Sequence, residues 1–72
     1  MDDPGTNLWT LAKDVREVAA RVRLVPYGIE IDILHDGLAV ITRTFDNDVE
    51  AMAWADQKRN AGESDGWAPA AE

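Results

Sequence analysis

No cysteine occurs in the 72 residues, so neither a disulfide nor a thiolate zinc site can staple this chain. Histidine is nearly as scarce: His35 stands alone and cannot by itself build an imidazole metal site. The single serine, Ser64, lies near the C-terminal end, away from any candidate base. The five glycines are scattered as punctuation and form no phosphate-binding loop. No apolar run approaches the ~20 residues that a membrane-spanning helix needs. Positive charge is also short, with 7 Lys and Arg against 14 Asp and Glu, for a net charge of −7. That balance repels phosphate backbones and anionic lipid surfaces, which disfavours nucleic acid and membrane as partners. It fits simple solubility, or a basic protein partner. The opening MDDPGTN is acidic and polar, without the positive charge and apolar core of a secretory signal. With the missing cysteines, it sets a cytoplasmic location as the expectation.

The apolar share, 46%, is that of a folded protein rather than a disordered one. The length allows one domain. A chain of this size buries only roughly 60% of its surface. With no disulfide or metal to help, packing or self-association must supply the stability.

In the N-terminal third, Leu8, Leu11, Val15, Val18 and Val22 recur at spacings of 3, 4, 3 and 4. This places all five on one helical stripe and predicts a helix over residues 7–23, capped by Thr6 or Asn7. Two heptads are short for a coiled coil, so the stripe is expected to pack on the protein's own sheet. Pro26 ends the helix.

From Tyr27 to Phe45 the pattern changes to period two. Ile29, Ile31 and Ile33 alternate with Glu30, Asp32 and Leu34, and Asp36-Gly37 is a favoured type I′ pair. A two-residue turn sets His35 opposite Leu38, Ile33 opposite Val40, Ile31 opposite Thr42 and Glu30 opposite Arg43. One face then carries Ile29, Ile31, Ile33, Leu38 and Val40 as core. The other carries Glu30, Asp32 and Arg43 around a small apolar patch of Leu34, Ala39 and Ile41. A one-residue slip would put Arg43 among the isoleucines, a poorer partition.

Asn47 followed three residues later by Glu50 resembles a capping box, so a second helix starts there. Its inward stripe is Val49, Met52, Ala53 and Ala55, and Gly62 is its expected stop. Residues 1–5 read as a disordered leader, 6–61 as the domain and 62–72 as a mostly disordered tail. Trp67 is an exception in the tail, folding back on the body or anchoring a partner.

The predicted fold is thus α+β, in the order helix, strand, strand, helix, with both helices on one face of a two-stranded antiparallel hairpin. Such a hairpin is marginal alone, and its outer face would need cover. A homodimer or protein complex formed through that face is the expectation, with Glu30, Asp32, Leu34, Ala39, Ile41, Arg43 and Trp67 as the interaction surface.

Three groups invite a chemical reading and none sustains it. His35 beside Asp36 has the look of an oriented base but sits at a hairpin tip without a nucleophile. Asp46, Asp48 and Glu50 lack the glycine and distal glutamate of a calcium loop and suit a helix start. Glu30 and Asp32 lie on an open strand surface. No catalytic, cofactor-binding or metal-ligating residue is assigned, and no small-molecule substrate is evident.

The residues Tyr27-x-Ile29-x-Ile31, Asp36-Gly37, Thr44-Phe45-Asp46 and Glu50-Ala51-x-Ala53-Trp54 resemble a hairpin-plus-helix pattern of small bacterial and phage proteins. The pattern is also similar to the arm-binding domains of tyrosine recombinases, which read DNA with a sheet followed by a helix. Those domains have three strands and a basic sheet, whereas this hairpin offers Glu30 and Asp32 against Arg43. The resemblance transfers no functional residue. Three functions are ranked from the sequence: a non-enzymatic protein-interaction domain, then an acidic inhibitor of a nucleic-acid-binding protein, then a DNA-binding module.

Overall fold

The computed structural model describes residues 5–70. The chain forms β1 (Thr6–Lys13), β2 (Arg16–Val25), β3 (Gly28–His35), β4 (Leu38–Phe45), α1 (Asp48–Ser64) and β5 (Ala68–Pro69). The strands make one antiparallel sheet in the order β4-β3-β2-β1-β5, with α1 packed across one side.

This overturns the expected helix–strand–strand–helix order. Residues 6–25 are two strands of a hairpin, not a helix. The physical reason is visible in the pairing. Trp9 lies opposite Ala20, and Leu11 opposite Val18, so alternate residues of both strands reach the helix side. Leu8 also reaches that core, through an irregularity between Asn7 and Trp9. Val15, the centre of the supposed helical stripe, sits in the turn and is exposed. Asp14 makes that turn possible by taking a φ of 57°, a left-handed value that aspartate tolerates.

The Asp36-Gly37 turn forms as expected, with φ values of 52° and 86°. Beyond it the expected register fails. His35 faces Leu38 and Leu34 faces Ala39, but Ile33 then faces Ile41, Asp32 faces Thr42 and Ile31 faces Arg43. Val40 is the extra residue of a bulge, which shifts the rest of β4 by one position. Ile41, Arg43 and Phe45 therefore point to the helix side. The shift is selected by packing: it brings Phe45 against Trp54 of α1, with ring centroids 5.6 Å apart.

The core centres on Ala20, Ile31, Ile33 and Ala51, flanked by Val18, Val22, Ile29, Phe45, Met52 and Trp54. Ala51 and Ala55 are the fully buried residues of α1, and small side chains there let the helix lie close to the sheet. Val49 and Ala53, expected inside, are exposed. Asn47 caps the helix, its side chain accepting from Glu50 N at 2.9 Å, as the capping pattern foretold. The Trp9 indole donates to Ala55 O at 3.2 Å and ties β1 to the helix.

Gly62 does not stop α1, which runs on to Ser64. Instead it lets the helix pass Leu11: a Cβ at position 62 would lie 2.7 Å from Leu11 Cδ1. Residues 62–70, read from the sequence as part of a disordered tail, hold the end of α1 and then β5, whose Ala68 and Pro69 pair with Ala12 and Leu11. Trp67 folds back, its ring edge-to-face with His35 at 6.3 Å. Of the expected leader, residues 1–4 lie outside the described residues.

Candidate interaction surface

The sheet has one side under α1 and one side open. Alternation along β2 and β3 puts Ala19, Arg21 and Arg23 on the open side, opposite Leu34, Asp32 and Glu30 respectively. Cross-strand pairs of opposite charge are favourable at this spacing. Asp32 is the centre of the resulting lattice. It accepts from Arg21 Nη2 at 2.9 Å and Nε at 3.3 Å, and from Thr42 Oγ1 at 2.7 Å. Arg23 Nε lies 3.1 Å from Asp32 Oδ2, an ion-pair distance without hydrogen-bond alignment, and Arg23 also pairs with Glu30.

Only 1% of Asp32 is exposed, although it lies on the uncovered side of the sheet. Its cover is the surrounding side chains rather than a deep core. Burial works against its ionisation, but the hydrogen bonds from Thr42 and Arg21 and the charges of Arg23 and Arg21 outweigh it. The pKa is therefore held below the ordinary carboxylate value. The two arginines are neutralised by carboxylates at hydrogen-bond distance. This lattice fixes the register of β2 on β3 and offers little free positive charge to a phosphate.

The residues expected to share one interaction surface are divided between environments. Glu30, Asp32, Leu34 and Ala39 are on the open face, and Glu30 and Asp32 are committed to the arginines. Ile41 and Arg43 are on the opposite side because of the Val40 bulge. Arg43 stacks over Phe45 and Trp54, at 5.3 and 5.9 Å from the ring centroids. Trp67 is half-buried against His35 and is no free anchor.

Three features escaped the sequence reading. Arg21 and Arg23 were placed on a helix, yet their i,i+2 spacing matched that of Glu30 and Asp32 and could have signalled a charged cross-strand ladder. The outer side of β4 was missed as well. Leu38 and Val40, expected in the core, are 73% and 61% exposed. They stand on a terminal strand of the sheet, whose outer edge has no partner strand among the described residues. The third is the opposite edge, where β5, two residues long and ending in proline, pairs with Leu11 and Ala12 and leaves residues 6–9 of β1 without a strand partner on that side among the described residues.

The groups with a possible chemical role have local duties. Asp36 accepts from Glu17 N at 2.9 Å while its own amide donates to Glu17 O at 2.8 Å, which ties the hairpin tip to β2. Asp48 and Glu50 lie in the first turn of α1. Among the described residues no three His, Asp or Glu side chains gather as metal ligands. Nor is any helix of these residues long and apolar enough to cross a membrane. Comparison of the chain with protein-family models, with characterised proteins and with solved structures finds no match, so the resemblance to recombinase arm-binding domains rests on pattern alone.

Proposed function

We propose that this chain is a non-enzymatic protein-interaction domain that works through the β4 side of its sheet. The observation that carries the reading is the free edge of β4, an eight-residue strand with Leu38 and Val40 in solvent and Arg43 as its single charge. Edge strands that stay unpaired in water usually carry lysine, proline or inward charge to block pairing. β4 has neither lysine nor proline, and its one inward charge, Arg43, is drawn over Phe45 and Trp54. The acidic residues are spent elsewhere, on turns, on α1 and in the open-face lattice, so a partner reaching β4 meets no carboxylate within the strand.

The surface expected from the sequence, the outer face of the hairpin, is replaced by the strand's edge. DNA binding gains no support, because Arg21 and Arg23 are already paired. The test is photo-cross-linking with benzoylphenylalanine placed at Leu38, against the same group at Val49, which is equally exposed but on α1. Adducts of defined mass from position 38, absent from position 49, are the expected outcome. Equal labelling at both positions, or none at either, refutes the reading.

A further inference from the structure

We infer that the hollow beside the β1–β2 turn binds a small anion, one carboxylate or phosphate group carried on a flat ring, between Lys13, Arg16 and Trp67. This site is separate from the β4 edge and does not depend on it.

The first observation is a census of positive charge. The chain has seven lysine and arginine side chains. Arg21 and Arg23 pair with Asp32 and Glu30, and Arg59 lies 3.8 Å from Asp56. Arg43 and Lys58 stand over aromatic rings. Lys13 and Arg16 are the two left, among the described residues, with neither a carboxylate at ion-pair distance nor a ring beneath them. Lys13 donates to Asp65 O at 2.9 Å, a neutral acceptor that leaves its charge uncompensated.

The second is placement. Lys13 faces Arg16 directly across the β1–β2 ladder. Like charges in that position destabilise a strand pair, and an anion between them replaces the repulsion with two attractions. Arginine offers a carboxylate or phosphate two parallel N–H donors, and lysine adds a point charge.

The third is the wall. Both cations line a hollow of about 520 Å³ together with Asp14, Val15 and Trp67. Trp67 is fixed there: its amide donates to Gly62 O at 3.0 Å and its ring meets His35 edge-to-face. Val15, 96% exposed, adds apolar surface at the turn. A ring attached to the anion covers part of this surface. The sign of the surroundings limits the ligand to one anionic group, because Asp14 also lines the hollow and a net charge of −7 repels an extended polyanion.

The experiment is a magnetic-resonance titration of the isotopically labelled whole chain, read at the amide and indole N–H groups. The probes are benzoate, phenyl phosphate and inorganic phosphate, with chloride at matched ionic strength as the control. Saturable shifts should centre on the Lys13 and Arg16 amides and the Trp67 indole, with dissociation constants in the millimolar range. Arg16→Gln should weaken the tighter aromatic probe by about tenfold, as one charge-assisted contact is lost. Arg16 is exposed, and unchanged resonances away from the turn verify that the variant folds. Lys58→Gln removes an equal charge outside the hollow and should change affinity by less than about twofold. Asp14→Asn keeps a residue type that tolerates the left-handed φ of 57° and should tighten binding by about two- to threefold.

Shifts that stay linear with every probe, or that chloride reproduces, overturn the site. Equal weakening by Arg16→Gln and Lys58→Gln also overturns it, since a general charge effect then accounts for the binding. Inorganic phosphate binding as tightly as phenyl phosphate overturns the role of Trp67. Preferential binding of benzoate or of phenyl phosphate supports the site and identifies its anion. None of these results touches the β4 edge, which the cross-linking at Leu38 tests on its own.

Discussion

Asp32→Ala is the substitution that most directly tests how the open face is held together. It removes the carboxylate that Arg21, Arg23 and Thr42 share. The two guanidinium groups then lie side by side with only Glu30 to balance them. Breaking a buried ion pair by deleting one partner costs about 3–5 kcal/mol, whereas an exposed pair contributes about 0–1 kcal/mol. Asp32 belongs to the first class at 1% exposure, but the arginine side chains are 35% and 33% exposed and can turn toward water. The cost should fall between, at about 2–3 kcal/mol. A 72-residue domain has roughly 4–11 kcal/mol in all, so the loss is a large share. Urea denaturation followed by far-ultraviolet circular dichroism reads it directly. With a slope of about 1 kcal/mol per molar, the midpoint should fall by roughly 2 M. Thr42→Val, which removes one hydrogen bond and no charge, should cost only about 1 kcal/mol. An Asp32→Ala protein within about 0.5 kcal/mol of the parent would show that the lattice is a solvated surface feature, and the reasoning would fail.

Other outcomes follow from the same structure. The folded-state pKa of Asp32 is lowered, so its contribution is fully present above the unfolded value of about 3.9 and is lost as pH falls through the folded value below it. The stability gap between the parent and Asp32→Asn should therefore shrink in urea titrations carried below pH 4, and a gap independent of pH contradicts the assignment. Gly28→Ala should destabilise by about 2 kcal/mol or more in thermal unfolding, because φ is 150° and the added Cβ would lie 2.3 Å from Phe45 O. Asn47→Ala should cost about 1 kcal/mol through the lost cap on α1, and Asn47→Asp should restore most of it.

What the sequence disclosed depended on whether local chemistry was unambiguous. Asp36-Gly37 and the Asn47 cap were readable because few residue types meet those backbone demands, and both formed. Residues 6–25 were misread because a 3-4-3-4 spacing also satisfies two short alternating strands when a turn falls inside it. The turn at Asp14-Val15 carries no glycine or asparagine to announce it, and Val15 itself looked like core. The β4 register was invisible for a different reason. Charge partition within an isolated hairpin favoured the regular pairing, but β2 supplies Arg21 and Arg23 as partners for Asp32 and Glu30. Arg43 was then released to the aromatic side with Phe45. Of the candidate surface, Glu30, Asp32, Leu34 and Ala39 were placed on the correct face, while Ile41 and Arg43 were not, since a bulge decides their positions; Trp67 folds back on the body, one of the two readings the sequence offered.

The closing segment has a kinetic consequence. Strands β1 to β4 each pair with a neighbour in sequence, so they can form from local contacts, whereas the pairing of β5 with β1 is long-range in sequence. Ala68 and Pro69 hold to Ala12 and Leu11 by the shortest ladder in the sheet, with Trp67 against His35 as their side-chain latch. This segment is the natural first point of local opening. When it lifts, the open edge extends along the whole of β1, and Leu11 loses its neighbours from the tail. How much of the β1 edge is open at any moment is therefore set in part by the two residues of β5.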